Sequence, residues 1–516
     1  MNEMKETTNR QIKVGAILSY VSIAVSIIAG LLYTPWIVGR LGQSQYGLYT
    51  LANSLIALFM IDFGLSAATS RYVSKYRAEG NEEKAERFLG AIYKLYIFID
   101  SIIFIALVFV FLFIYQIYLK LTPAELEQFK VVYIIASSYA LLSFPFVTLN
   151  GILNAYEKFT YLKLADLAQR ILVVISTIVA LICGAGLYGL VAVNAICGLL
   201  IIVYKLIVIK KTTSIHIKFN YKEKGLYKEI FSFSLWATLS SLAARMIFNI
   251  TPTILGIFNG SAEIAVFGII TSIEGYFFLF TSAINGMFMP KISRIYANTD
   301  EESDIMPLML RVGRFQYGLN GLLITGFAVL GVLFITLWLG EGYSDAYLGV
   351  LLVASPSIFY NSLQIANTAM VVRKKVKQQS FIFLSVGVFN IICCFILSKY
   401  LGLIGACASI CGAFVLRAII CNIVYKRVLG LYMKEFYIKC YIRMSIPIIL
   451  TIACGIGLNM VWNSVGWLVF LAKGFIVVAV YITFVFLLAL SKNERSKFIQ
   501  IIKNIPSKIF KRKTLK

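Results

Sequence analysis

The feature that most limits what this chain can become is a series of apolar runs too long for a water-soluble core. A span of the bilayer's hydrocarbon layer needs about 20 mostly apolar residues, and Val14 to Val38 supplies the first, broken only by small and hydroxyl side chains. Runs of the same kind begin near Tyr46, Ala91, Leu126, Leu167, Leu187, Glu229, Glu263, Arg311, Ala346, Gln379, Leu403, Cys440 and Gly466. Together they make about fourteen spans. Backbone amides in lipid must be satisfied within their own segment, so each span is expected to be a helix. A membrane β-barrel would show short alternating segments instead, and none is present. The first run is too long for a signal-peptide core, lacks a small-residue cleavage pattern and is followed at once by a second span, so it is expected to be retained. No lipidation signal is seen at the C-terminus.

Lys and Arg number 48 against 24 acids, a net charge of +24. In a soluble protein that excess points to nucleic acid, but here the charges sort by side of the membrane. With the N-terminus in the cytoplasm, external connections hold only Arg40, Lys120, Lys130 and Lys399. Arg245, Arg417 and Lys473 fall inside spans, and the other basic residues lie in cytoplasmic segments. This is the positive-inside pattern, and an even helix count returns the C-terminus to the cytoplasm. Trp36, Trp338, Trp462 and Trp467 then fall at the outer interface, where an aromatic belt belongs. The expectation is a multi-pass protein of a bacterial inner membrane with no nucleic-acid partner. The basic stretches Arg373 to Lys377 and Lys508 to Lys516 are expected to set topology and touch anionic membrane lipids, with the gathering of an anionic lipid-linked substrate as the sharper alternative.

Metal and cofactor chemistry finds no pattern. Cys407 and Cys411 lie one helical turn apart, but no His or further Cys joins them, and such cysteines are small enough for helix packing. His216, the only histidine, sits among Lys210, Lys211 and Lys218 in a loop, not at the depth of a proton relay.

Two stretches of the chain can be laid over each other. Thr34 and Pro35 match Thr251 and Pro252; Tyr46 and Gly47 match Phe267 and Gly268. RYVSKY from Arg71 matches KISRIY from Lys291, each leading into a polar acidic segment, Glu79 to Glu83 and Thr299 to Ser303. Pro145 and Asn150 match Pro356 and Asn361, and GLYG from Gly186 matches GLIG from Gly402. Six spans per repeat make both halves enter from the same side, related by an axis along the membrane normal. The expected organisation is therefore a six-helix lobe over 1–211, a second over 212–428, two additional helices over 429–491 and a basic cytoplasmic tail over 492–516. In transporters built this way the substrate lies between the halves, which rock to give alternating access. The matched prolines Pro35 and Pro252 either free backbone carbonyls and mark bend points or are simply tolerated, as proline often is in membrane helices.

The segments GQSQYGLY from Gly42 to Tyr49, and Asp62 to Leu65 (DFGL) leading to Arg71 and Tyr72, resemble the start of Wzx-type polysaccharide flippases of the multidrug/oligosaccharidyl-lipid/polysaccharide exporter superfamily. Beyond the third span the resemblance rests on topology. It implies two six-helix lobes in a V, and a polyprenyl-diphosphate-linked oligosaccharide as substrate. A polysaccharide polymerase and glycosyltransferases would then be functional partners. The coupling ion is left open.

Ionisable side chains at membrane depth face a cavity or a partner, so each is a candidate site residue. Arg245 lies about 24 Å along the seventh span, counted from Glu229. Its guanidinium suits a diphosphate, because it stays charged and offers a bidentate fork. Asp62 and Glu274 are candidate partners for it, and Asp62 could instead hold Arg71. Arg417 lies within snorkelling reach of the cytoplasm; Asp100 could pair with a nearby Lys or Tyr; Lys473 reads as an interfacial anchor. The candidate substrate-binding set is Arg245, Asp62, Glu274, Arg417 and Arg71, with no catalytic or metal-binding residue. Competing readings are a peptidoglycan-precursor flippase, a drug/cation antiporter of the same superfamily and a membrane-embedded glycosyltransferase or polymerase. Buried Arg counts against the antiporter. The enzyme would need a sizeable external loop, and every expected external connection is about ten residues or shorter. No Walker A pattern supports ATP-driven transport.

Overall fold

A computed structural model describes residues 2–219, 226–282, 288–298, 305–490 and 495. The matched acidic segment at Thr299 to Ser303 and the basic tail from Lys508 lie wholly outside the described residues. Among the described residues every regular element is helical.

The chain runs through α1 (Asn2–Leu41), α2 (Gln43–Phe59), α3 (Leu65–Ala78), α4 (Glu82–Leu112), α5 (Ile114–Ile117), α6 (Pro123–Ser143), α7 (Thr148–Ala155), α8 (Phe159–Ile182) and α9 (Gly186–Thr212). The second half holds α10 (Leu226–Phe248), α11 (Thr251–Phe258), α12 (Ser261–Ser282), α13 (Met289–Asn298), α14 (Ile305–Leu339), α15 (Ala346–Ala354), α16 (Ser357–Ser362), α17 (Gln364–Val372) and α18 (Val376–Leu429). α19 (Met433–Phe436), α20 (Arg443–Val461) and α21 (Trp467–Phe484) end it.

Among the described residues, eleven stretches are long and apolar enough to cross a membrane, or twelve if the pair bent by 54° around Leu363 counts as one. Two features reconcile this with about fourteen expected spans. At 54 residues α18 would be about 81 Å long, over twice a hydrocarbon core, and Gly402 inside it has φ 55° and ψ −138°. It is two helices meeting at a glycine, long enough together for two spans. The second expected span is interrupted, leaving α2 and α3 each too short to qualify alone.

The prolines behave unequally. Pro145 sits in the 3₁₀ turn Phe144–Val147 between α6 and α7, and Pro356 in the turn between α15 and α16. Both matched positions fall where their helix is interrupted and a missing N–H is tolerated. Pro252 opens α11 after a break at Asn249 and Ile250, whereas α1 runs on through Pro35.

The chain forms two compact units. One comprises 1–279, 348–353 and 374–417, the other 280–347, 354–373 and 418–516. In the first, α1, α8 and α9 pack together, α6 packs on α2 and α9, and α7 packs on α3. α10 and α11 also lean on α2. Glycine sets how closely α2 meets α12: a Cβ on Gly47 would lie 2.0 Å from the Ser261 carbonyl oxygen, and one on Gly268 would lie 2.8 Å from Thr50 Oγ1. The matched glycines thus line one helix crossing. In the second unit α14 packs against α16, α17, α20 and α21.

Candidate functional site

The best-defined polar feature inside the first unit is the interruption between α2 and α3. α2 buries Leu48, Leu51, Ala52, Leu55 and Ile56, then ends as Met60 turns out of helical geometry. Phe63 and Gly64 both take left-handed backbone angles, φ 51° and 67°. Glycine adopts that region freely, whereas phenylalanine is strained in it, and such strain gathers at functional sites. Asp62 holds the break in place. Its Oδ2 accepts the Ser66 N–H at 3.2 Å, and its Oδ1 accepts the Tyr96 hydroxyl from α4. An aspartate thereby satisfies an orphan donor at the start of α3, as a capping residue does.

Arg245, near the end of α10, reaches this break. Its Nη1 donates to the carbonyl of Ala57, in the last turn of α2. A cation at a helix C-terminus is favourable against the helix dipole. One of five guanidinium donors is engaged there, and the side chain is half-buried. At the start of α3 the Leu65 N–H donates to the Asp62 carbonyl at 3.0 Å and the Ser66 N–H to its carboxylate, so the first amides of that helix are already met within the break. Arg245 and Asp62 are therefore neighbours at one break, each bound to other groups. Neither Asp62 nor Glu274 pairs with Arg245 among the described residues.

The other candidates are dispersed. Glu274 is half-buried on α12, with neither an ion pair nor a hydrogen bond among the described residues. Two residues on, the hydroxyl of Tyr276 would lie 2.0 Å from a Cβ on Gly30, so α1 approaches α12 closely there. Arg417 stacks 3.8 Å above the Phe383 ring, a cation–π contact. Arg71 is exposed on α3, 5.8 Å from the Tyr72 ring, and Asp62 does not hold it. Asp100 finds neither Lys nor Tyr: its Oδ1 is buried and without a partner. Lys473 is not an interfacial anchor. It is 4 % exposed and donates to Asn459 Oδ1 at 2.9 Å. That amide in turn donates to the Val329 carbonyl, tying α21 and α20 to α14. His216 is exposed, in the connection that docks Lys218 on Glu86 at 2.8 Å.

Three groups escaped the sequence reading. Tyr96 is the hydroxyl partner of Asp62. Lys205, counted there among cytoplasmic charges, lies inside α9 with an 11 % exposed side chain, donating to Asn150 Oδ1 at 2.9 Å and lying 4.0 Å from Asp166. Its position four residues inside the end of an apolar run at Ile209 was the available signal. In the second unit, Asn361 donates to Thr281 and to Asn320 Oδ1, which Ser357 also reaches. The repeat had matched Asn150 with Asn361, and each anchors a polar contact. Among the described residues no group of His, Cys, Asp and Glu could hold a metal ion.

Comparison with known proteins completes the picture. A comparison with curated proteins finds no match. Among solved structures, the chain is similar to the lipid II flippase MurJ in an inward closed conformation, with TM-score 0.71 and 14% identity over 91% of this chain and 97% of that one. It is also similar to an inward-facing multidrug-resistance MATE-family transporter of the MOP superfamily, with TM-score 0.69 and 13% identity over 80% of this chain and 98% of the other. A MOP-superfamily transporter from Pyrococcus furiosus gives TM-score 0.60 at 13% identity, covering 82% of this chain and 96% of that one. These likenesses establish a transporter fold. Residues 12–296 match the model of the polysaccharide biosynthesis protein family, so the chain belongs to that family, with the fold of these MOP-superfamily transporters and many helices long and apolar enough to cross a membrane.

Proposed function

We propose that this chain moves a polyprenyl-diphosphate-linked oligosaccharide from the cytoplasmic to the outer leaflet of a bacterial inner membrane, by alternating access, for cell-surface polysaccharide synthesis. The observation that carries this reading is Arg245 at the α2–α3 break. Its unspent donors lie at an interruption of a membrane helix, where a diphosphate meets a planar cation. Asp62, engaged by Tyr96 and Ser66, acts here as a positioning residue for the break. Both termini are cytoplasmic, and the two sequence repeats, 1–211 and 212–428, are the halves that rock. Moving two negative charges outward across a membrane with a negative interior is favoured by about 2.3 kcal/mol per charge per 100 mV.

Closure of the outer face fits the same scheme. Glu125 opens α6 with a capping box on Thr122. Its Oε1 also accepts Ser44 at 2.5 Å and the hydroxyl of Ser261, joining the starts of α2, α6 and α12. We expect Glu125→Ala to leave α6 capped by Thr122 but to loosen this junction. A cysteine at Gln43 should then label from outside several times faster than in the native chain; unchanged labelling refutes the latch.

The functional test is reconstitution of the purified chain with three cargoes: a polyprenyl-diphosphate oligosaccharide, lipid II and a lipophilic cation. The expected result is translocation of the first, accelerated by an inside-negative potential. Lipid II alone would make it a peptidoglycan-precursor flippase, the reading that the likeness to MurJ favours. Cation exchange alone would make it an antiporter. Sidedness is tested separately by cysteine labelling in a Cys-depleted chain: positions 344–347 should react from outside and Lys374→Cys should not.

A further inference from the structure

The second unit contains a groove that the transport scheme does not use. After α21 the chain makes one wider turn, Val485–Ala489, and stops being helical at Leu490. Three arginines gather on the carbonyls of this end. Arg314 donates to Ala489 at 2.5 Å, Arg443 to Leu490 at 3.3 Å, and Arg495 to Leu490 at 3.2 Å and to Leu487. Guanidinium groups there satisfy the orphan carbonyls and the negative helix end.

Beside them opens a cavity of about 710 Å³. Its wall is apolar, with Phe315, Leu319, Leu322, Met444 and Phe486 among the lining residues. Phe315 is 58% exposed. Among the described residues no carboxylate lines the cavity, yet Lys291 and Arg311 do. Both are exposed, and neither has an ion-pair or hydrogen-bond partner among the described residues. Arg314, by contrast, is committed to the helix end. The groove therefore combines an apolar wall, open at the side, with two unspent cations at one end.

We propose that this groove is a binding site for an anionic phospholipid, with its phosphodiester on Lys291 and Arg311 and its acyl chains along the Phe315 and Leu319 wall. Basic pockets between membrane helices recognise acidic headgroups in this way, each Lys or Arg adding about 1 kcal/mol. Two exposed, flexible cations suit a singly charged phosphodiester at the leaflet surface. A diphosphate carried through the protein is better matched by a half-buried fork such as Arg245. The lipid is thus a resident ligand of the second unit, separate from the transported cargo, and the proposal stands or falls independently of the cargo's identity.

The test is lipid retention by the purified full chain, delipidated and then titrated with phosphatidylglycerol, phosphatidylcholine or a polyprenyl phosphate, read by native mass spectrometry. The native chain should retain phosphatidylglycerol in preference to phosphatidylcholine. The double variant Lys291→Gln/Arg311→Gln should lose about 30-fold of that preference, while Lys399→Gln should keep it. Equal retention of the two phospholipids by the native chain overturns the proposal whatever the variant does. So does an unchanged preference in a well-folded double variant. Displacement of bound phosphatidylglycerol by equimolar polyprenyl phosphate would also overturn it, assigning the groove to the transported lipid.

Discussion

Arg245→Ala should reduce translocation of the lipid-linked oligosaccharide by about 100-fold or more, with insertion and abundance near normal. The magnitude follows from charge-assisted hydrogen bonds worth about 1.5–3 kcal/mol each, two of which correspond to at least a hundredfold change in affinity. A competing explanation is that Arg245 matters only as a cap on Ala57. Three variants separate the two roles. Arg245→Gln can still donate to the Ala57 carbonyl but carries no charge, so a pure cap tolerates it and a diphosphate site does not. Arg245→Lys keeps the charge without the planar fork and should recover export only in part. Asp62→Asn keeps the shape of the break, can still accept from Ser66, and leaves Arg245 in place. It should therefore cost much less transport than Arg245→Ala. The assay is accumulation of lipid-linked oligosaccharide in the cytoplasmic leaflet of cells carrying each variant. Normal export by Arg245→Ala at normal expression removes Arg245 from the substrate site. Full export by Arg245→Gln reduces it to a helix cap.

Membrane insertion was written openly in the sequence, because apolar run length is a one-dimensional property. The interruptions were half legible. Of the two expected bend points, the chain breaks just before Pro252, which opens α11 where no N–H is needed, whereas Pro35 is absorbed within α1. Asp62-Phe63-Gly64 was noticed as a motif, but nothing in the order of residues announced that Phe63 would be left-handed. That geometry requires Tyr96, on another helix, to hold the aspartate. Side-chain pairing was the least legible. Arg245 and Glu274 looked complementary by depth, yet depth says nothing about azimuth, and each points elsewhere. Lys473 misled for the same reason: its height along α21 fitted an interface anchor, but its face packs inward on Asn459. Lys205 was hidden by its nearness to Lys210 and Lys211, which made one buried cation look like part of a basic flank.

The helix crossing at Gly47 supplies the second large effect. A methyl group there would lie 2.0 Å from the Ser261 carbonyl oxygen and 2.9 Å from its carbon. Both are backbone atoms, so no rotamer change relieves the clash and α2 must move away from α12. Overpacking of this kind typically costs about 1–3 kcal/mol. The displacement also draws Ser44 and Ser261 apart, which share Glu125 as acceptor. Gly268→Ala is the natural comparison, being the matched position in the repeat. Its added methyl meets Thr50 Oγ1 at 2.8 Å and Cγ2 at 3.0 Å, and a threonine side chain can rotate at the cost of its bond to the Tyr46 carbonyl. Gly47→Ala should therefore abolish the outside-closed arrangement, whereas Gly268→Ala should only weaken it. External labelling of a cysteine at Gln43 reads the difference, alongside transport in the same cells. If the crossing is a moving gate, Gly47→Ala labels rapidly, transports little and still reaches the membrane in normal amount. If it is a fixed structural contact, the protein is instead lost from the membrane, and a destabilised Gly268→Ala follows it in proportion. Slow labelling with normal transport in Gly47→Ala would show that α2 and α12 part without consequence, and would end the gate argument.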